Sequence, residues 1–115
     1  MDSTSNSNTI NHLIIGASRG IGRSLVDLSV QAGHQVYALS RSVPENKPES
    51  CHWITANVTE PETYLDSLPD TIHALTFCPG KVILGPIKRL KPEQMLEAYQ
   101  TSVLDAFTAI QGLLP

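Results

Sequence analysis

The sequence predicts an α/β fold, a doubly wound parallel sheet of four strands in the order 3-2-1-4. Two observations support this prediction: short apolar runs alternate along the chain with segments of helical periodicity, and a glycine-rich turn follows the first apolar run. The chain has 115 residues, a length typical of one domain. We expect that domain over residues 10–115, after a tail at residues 1–9 that is rich in Ser and Asn and predicted to be disordered.

The first half of the chain predicts two strands joined by a helix. Residues 13–15 form a short buried strand, and residues 36–39 form the second strand. Between them, Gly33 suits the left-handed position that ends a helix. The packed face of that helix is indicated by apolar residues at steps of three and four, namely Ile21, Leu25, Leu28 and Ala32.

The middle of the chain predicts a further pair of strands. The third strand is expected at residues 53–56 and the fourth at residues 72–78. Between them, Thr59 is a suitable N-cap for a helix in which Pro61 occupies the first turn. That helix is expected to end near residue 68.

Loops and two helices complete the predicted architecture. Residues 42–50 and 81–91 contain Pro or Gly and are expected to be loops. Pro92 suits the first position of another helix. The last helix is indicated by an apolar stripe of Val103, Ala106, Phe107, Ile110, Leu113 and Leu114.

Three glycines lie between the first strand and the first helix, at the spacing Gly-x-x-x-Gly-x-Gly. Gly16 allows a tight turn out of the strand, Gly20 leaves room for a phosphate beside the backbone, and Gly22 allows the helix to pack closely on the strand. Unpaired N–H groups near Ile21 and Gly22, at the start of the helix, favour a diphosphate there. This context predicts a Rossmann-like sheet that binds a nucleotide. The alternative is a glycine turn with a purely structural role.

The end of the second strand indicates which dinucleotide is bound. An NAD site would place Asp or Glu there to accept from the ribose hydroxyls, whereas this chain has Ser40 and Arg41. A guanidinium can pair with a 2′-phosphate, and Ser18 and Arg19 in the glycine turn are expected to reach the same group. These residues favour NADP over NAD as the cofactor. The alternative is that both arginines are solvated surface residues.

At these residues the chain resembles the N-terminal, cofactor-binding half of the short-chain dehydrogenase/reductase family. The glycine turn fits the family's cofactor turn, Asn57-Val58 stands where the family has the Asp-Val pair that flanks adenine, and Gly80 keeps the glycine that leaves room for the adenosine ribose. The resemblance implies hydride transfer between NADP(H) and a carbonyl or alcohol. The cofactor-binding residues that follow are Gly16, Ser18, Arg19, Gly20, Ile21, Gly22, Arg41, Asn57, Val58 and Gly80.

The catalytic residues that the resemblance implies are not found in this sequence. The family uses a Tyr with a Lys four residues later, and none of Tyr37, Tyr64 and Tyr99 has a Lys at that position. We therefore expect the nucleotide-binding half of such an enzyme without its catalytic set. The alternative is a non-catalytic nucleotide-binding or protein-interaction module, or a remnant of an enzyme. In the family the helix corresponding to the last one packs against a partner subunit, which implies a homo-oligomer.

Composition and charge exclude several classes of protein. The net charge is −3, from 8 basic and 11 acidic residues, which excludes a generic electrostatic binder of nucleic acid. No apolar run approaches the ~18 residues of a membrane-spanning helix. Cys51 and Cys78 have no metal spacing and indicate reduced thiols in a cytoplasmic protein. The four histidines, His12 among them, show no metal spacing and are expected mostly at solvated ends of strands or loops.

Overall fold

The structure is a computed structural model that describes residues 9–80 and 83–114. The chain divides between Cys78 and Pro79 into two compact units. The first unit contains a parallel sheet, one α-helix and two short 3₁₀ helices, and the second contains the helices near the carboxyl terminus. Within the described residues, no helix has both the length and the apolar character needed to cross a membrane.

The sheet of the first unit has four parallel strands, which are β1 (Asn11–Ile15), β2 (Gln35–Ser40), β3 (His52–Thr55) and β4 (Ala74–Phe77). Their order is β3-β2-β1-β4, so the predicted order 3-2-1-4 is confirmed. In this register Ile14 of β1 lies opposite Ala38 of β2, which lies opposite Trp53 of β3. Because the strands are parallel, their carboxyl ends meet at one edge of the sheet.

The helix α1 (Gly20–Gln31) packs on this sheet through a face that apolar periodicity reveals only in part, since Leu25 of the predicted face packs against the core. The prediction that Ile21 and Leu28 mark the packed face is wrong, because these side chains are 82% and 63% exposed. The buried residues of α1 are Gly22, Val26 and Ser29. Two of these three residues are small, which allows the helix to approach the strands but adds no apolar signal to the sequence.

His12 lies buried inside the first unit, an exception to the solvated strand and loop ends expected for most of the histidines. Its Nε2 atom is 2.7 Å from Thr76 Oγ1, and its Nδ1 atom is 3.2 Å from Ser29 Oγ. Burial and the neighbouring imidazole of His34 lower the pKa of His12. A buried polar network therefore joins β1, α1 and β4 where an apolar contact would be usual.

The segment between β3 and β4 does not form the predicted α-helix. It contains two 3₁₀ helices, Pro61–Thr63 and Leu65–Ser67, and the φ of −134° at Tyr64 between them departs from helical geometry. Thr59 is not a cap, because its N–H and its hydroxyl both donate to Asn57 Oδ1, at 3.0 and 2.8 Å. The segment thus forms a turn on Asn57 and then buries Tyr64, which is 1% exposed.

The second unit contains one helical run that begins at Pro92, as predicted. It consists of α2 (Pro92–Tyr99), a π-helical segment (Gln100–Leu104) and α3 (Asp105–Leu113). At its start the Lys91 N–H donates to Gln94 Oε1 at 2.9 Å. The two helices predicted here are therefore joined, and the π-helical segment changes the phase of the side chains between them.

Candidate functional site

The glycine-rich turn joins the carboxyl end of β1 to the start of α1. The N–H groups of Gly16 and Ala17 both donate to the Leu39 carbonyl of β2, at 2.9 and 3.3 Å, so the turn is fixed against the end of the neighbouring strand. Gly16 has a φ of 82° and Gly20 a φ of 64°, which a glycine adopts without strain. The backbone of this turn therefore requires glycine at both positions.

Gly20 and Gly22 have different surroundings. A Cβ atom on Gly22 would overlap the Gly16 carbonyl oxygen and would lie 3.3 Å from Ala17 Cα. A Cβ atom on Gly20 would have no heavy atom within 4 Å. Gly22 thus allows close packing of the helix on the turn, whereas Gly20 borders open space at the start of the helix.

The first turn of α1 carries N–H groups without an acceptor in the helix. The first hydrogen bond of the helix runs from the Arg23 N–H to the Arg19 carbonyl at 3.3 Å, which leaves the N–H groups of Gly20, Ile21 and Gly22 outside the ladder. Arg19 is the N-cap residue, and no side chain caps this helix. Half-buried Ser18 precedes it in the turn. The N–H groups and the helix dipole together favour an anion.

Arg41 follows β2 between two residues whose positions are fixed by hydrogen bonds. Trp53 Nε1–H donates to Ser40 Oγ at 2.9 Å, and the Ser40 hydroxyl donates to the Ser42 carbonyl. The Ser40 carbonyl accepts from the Ala56 N–H at 3.0 Å. The exposed Arg41 side chain therefore projects from a fixed backbone.

The cations near these strand ends differ in their partners. Within the described ranges, Arg23 forms an ion pair with Asp27 at 2.7 Å. Arg19 and Arg41 have no carboxylate within ion-pair distance among the residues that the structure describes. These two side chains are therefore available to an anionic ligand.

Asn57 and Val58 follow β3 at the same edge of the sheet. Asn57 Oδ1 accepts from both donors of Thr59, which leaves the amide Nδ2 of Asn57 as its donor. The Val58 carbonyl accepts from the Tyr64 hydroxyl at 3.1 Å. Burial, with a contribution from Glu62, raises the pKa of Tyr64, so this phenol remains a neutral donor.

The structure brings most of the predicted residues to one edge of the first unit. The glycine turn, Arg41 and the Asn57-Val58 pair follow the carboxyl ends of β1, β2 and β3 respectively. Gly80 belongs to the second unit, where a Cβ atom on it would lie 3.7 Å from Ser102 Oγ, and its place at the ribose stays a prediction. In the described part of the chain, no group of three side chains could hold a metal ion.

Sequence reasoning missed the bond between Ser40 and Trp53. The sequence shows a serine at the end of one strand and a tryptophan on the next, but their contact depends on the register of β2 and β3. A shallow apolar depression on the outer side of α1 was also missed. It is lined by Gly20, Ile21, Arg23, Ser24, Leu25 and Leu28.

Comparisons with known proteins identify the fold. No family model and no curated protein matches the chain. Among solved structures, it is similar to an aldohexose dehydrogenase of Thermoplasma acidophilum, with a TM-score of 0.77 and 21% identity over 95% of this chain and 44% of that one. A short-chain dehydrogenase of Leptospira borgpetersenii with bound NAD⁺ gives a TM-score of 0.73 and 22% identity, over 91% of this chain and 44% of that one.

A third similar structure is a carbonyl reductase from Pseudomonas aeruginosa, with a TM-score of 0.72 and 26% identity over 91% of this chain and 55% of that one. The chain thus spans about half the length of the solved structures that it matches. The described residues have the fold of the N-terminal half of short-chain dehydrogenases/reductases.

Proposed function

We propose that this chain is the NADP-binding half of a short-chain dehydrogenase/reductase-type oxidoreductase. The observation that carries the proposal is the uncapped first turn of α1, where the N–H groups of Gly20, Ile21 and Gly22 face no intrahelical acceptor. Such a turn suits the diphosphate of a dinucleotide, since its donors and its dipole both favour negative charge. The open space beside Gly20 supports this fit.

The choice of NADP rests on the charges around the end of β2. Arg41 and Arg19 have no carboxylate partner among the described residues, and neither Asp nor Glu stands directly at the end of β2. A 2′-phosphate would gain charge-assisted hydrogen bonds from either guanidinium, whereas a ribose hydroxyl would gain far less. We assign Arg41, Arg19 and Ser18 to this phosphate. One similar structure holds NAD⁺, so the distinction rests on this chain's own residues.

The proposed adenine contacts come from the turn after β3. Asn57 offers its Nδ2 group, because its Oδ1 atom is already used by Thr59. Val58 is held beside it through the bond from Tyr64 to its carbonyl. We assign Asn57 and Val58 to the two sides of the adenine ring.

The described residues bind and orient the cofactor in this proposal and perform no proton transfer. A bound nicotinamide would supply the hydride chemistry. Tyr64 is unsuited to proton transfer with a substrate, because it is buried and its hydroxyl is committed to the Val58 carbonyl. The activity of a whole enzyme, with a carbonyl or alcohol substrate, is part of the proposal. So is a cytoplasmic location, supported by the free thiols of Cys51 and Cys78.

Calorimetric titration with NADPH and with NADH tests the proposed function. We expect saturable binding of NADPH that is clearly tighter than binding of NADH. Equal binding of the two cofactors, or no binding of either, would contradict the proposal.

Gly20→Ala and Gly33→Ala form a matched pair of variants for the same titration. Both glycines have positive φ, at 64° and 85°, and neither position has a heavy atom within 4 Å of an added Cβ. The two variants should therefore lose similar stability. Only Gly20→Ala places a methyl group beside the proposed diphosphate, so only this variant should lose NADPH binding. Equal effects of the two variants on binding would contradict a site at the helix start.

A second candidate function is a non-catalytic module that associates through the second unit. The exposed apolar residues of its helical run support this alternative: Met95, Leu96, Tyr99, Val103, Phe107 and Ile110. We propose that these residues pair two copies of the chain. Analytical ultracentrifugation should show a dimer that Phe107→Glu dissociates, and a monomer at all concentrations would contradict the pairing.

A further inference from the structure

The side chain of Ser40 is buried at the carboxyl end of β2 and has both a donor and an acceptor partner. It is 6% exposed, accepts from the Trp53 indole N–H at 2.9 Å, and donates to the Ser42 carbonyl. A serine hydroxyl has one hydrogen to donate, so the indole bond directs that hydrogen away from Trp53 and toward the Ser42 carbonyl. The buried Ser40 hydroxyl is thus held between the Trp53 indole N–H, from which it accepts, and the Ser42 carbonyl, to which it donates.

This arrangement sets the direction of the peptide group between Ser42 and Val43, one residue beyond Arg41. The Ser42 carbonyl is directed inward to Ser40, and no cis peptide bond occurs in the described chain. In a trans peptide the N–H of the next residue, Val43, points the opposite way. The partial negative charge of the Ser42 carbonyl oxygen is therefore taken up by the Ser40 hydroxyl and is not offered to the Arg41 guanidinium.

The loop after β2 is also held at a second point. Arg23 of α1 donates to the Asn46 carbonyl at 2.7 Å, and its side chain, which also pairs with Asp27, is 17% exposed. The loop that carries Arg41 is therefore attached to β3 at one end and to α1 further along. An exposed arginine on such a fixed loop loses less conformational freedom on binding than one on a free loop.

We propose that Trp53, acting through Ser40, is a positioning residue for recognition of the 2′-phosphate by Arg41. Its indole N–H keeps the Ser40 hydroxyl on the Ser42 carbonyl, so that Arg41 meets the phosphate with no competing oxygen beside it. Trp53 itself does not touch the ligand. This inference rests on the proposed NADP-binding function.

The test measures the dissociation constants of NADPH and NADH for the full chain and its Trp53→Phe variant by calorimetry. Phenylalanine keeps the aromatic ring but has no N–H. We expect NADPH binding to weaken about fivefold, the factor that corresponds to one neutral hydrogen bond, with NADH binding unchanged. Ser40→Ala should have the same effect and serves if Trp53→Phe does not fold. Ile54→Val, a small change on the same strand, should leave both constants unchanged.

The variant Arg41→Gln separates positioning from general stability. In the Arg41→Gln background nothing remains to be positioned, so Trp53→Phe should no longer change NADPH binding. Equal weakening of NADPH and NADH, an unchanged preference, or an undiminished effect in the Arg41→Gln background would each overturn the inference. A wild-type chain that shows no preference for NADPH would instead contradict the proposed function itself.

Discussion

Gly22 approaches the carbonyl group of Gly16 so closely that no side chain fits between the helix and the turn. A Cβ atom on Gly22 would overlap the carbonyl oxygen and lie 3.0 Å from the carbonyl carbon. The start of α1 is thereby held against the end of β1, and the free N–H groups of the helix are held in a fixed place. Stability and the proposed binding site therefore depend on the same contact.

Gly22→Ala should lower the free energy of unfolding by about 2 kcal/mol or more, because the methyl group must displace backbone atoms. Urea denaturation of the variant measures this loss. Ser24→Ala, on the exposed side of the same helix, should change stability by less than about 0.5 kcal/mol. If Gly22→Ala were as stable as Ser24→Ala, the close approach would be refuted.

Arg41→Gln should weaken NADPH binding about tenfold or more, the loss expected when a charged hydrogen-bond donor is removed. NADH binding should not change, since NADH has no 2′-phosphate. Arg41→Lys should fall between the wild type and Arg41→Gln, because an ammonium keeps the charge but not the bidentate geometry. Calorimetric titrations of the three proteins check this order, and a parallel loss of NADH binding would argue against a contact to the 2′-phosphate.

Val26→Ala should lower the free energy of unfolding by about 1–3 kcal/mol, because Val26 is a fully buried residue of α1 that packs in the core. Leu28→Gln should change it by less than about 0.5 kcal/mol, because Leu28 is 63% exposed. Chemical denaturation of both variants measures the difference. A larger loss of stability for Leu28→Gln than for Val26→Ala would show that α1 packs through the face that apolar periodicity indicates.

The free energy of unfolding should decrease as the pH falls below about 6.5, because of His12. Burial and His34 lower the pKa of His12 in the folded chain, so the unfolded chain binds this proton more readily. The contribution of neutral His12 to the free energy of unfolding is complete above pH 6.5, the ordinary pKa of histidine. It is lost progressively as the pH falls toward the lower pKa of His12 in the folded state.

Denaturation at a series of pH values measures the free energy of unfolding, and His12→Gln should reduce the slope of this free energy against pH. His52→Gln is the control, because His52 is exposed on the sheet, where it stacks on Tyr37 at 4.7 Å between ring centroids. A slope unchanged by His12→Gln would show that other groups cause the acid sensitivity.

The strands and their order could be predicted from the sequence, whereas the packed side of α1 could be predicted only at Leu25. Apolar runs and the glycine turn define the four strands without reference to tertiary structure. Gly22 is buried because it is small, and Ser29 is buried beside His12, to which it is hydrogen-bonded. Periodicity of apolar residues detects neither cause. The helix expected after Thr59 does not form, because the N–H and the hydroxyl of Thr59 both donate to Asn57 Oδ1 in a turn. Periodicity does not detect this side-chain contact either.

The backbone part of the candidate site was open to prediction because glycine spacing reflects backbone geometry directly. Gly16 and Gly20 have the positive φ values that only glycine adopts easily. The support of Arg41 was not predictable, because Ser40 and Trp53 meet only when β2 and β3 pair in register. Contacts between side chains on different strands require a register, and the order of residues along one chain does not supply it.

Trp53 is the only tryptophan of the chain, and its indole is bonded at the end of β2. The chain therefore contains a single tryptophan fluorophore, which lies beside the loop that carries Arg41. Its emission wavelength and quenching should report on that loop without a chemical label, and energy transfer from it to a reduced nicotinamide would register occupancy in the same spectrum.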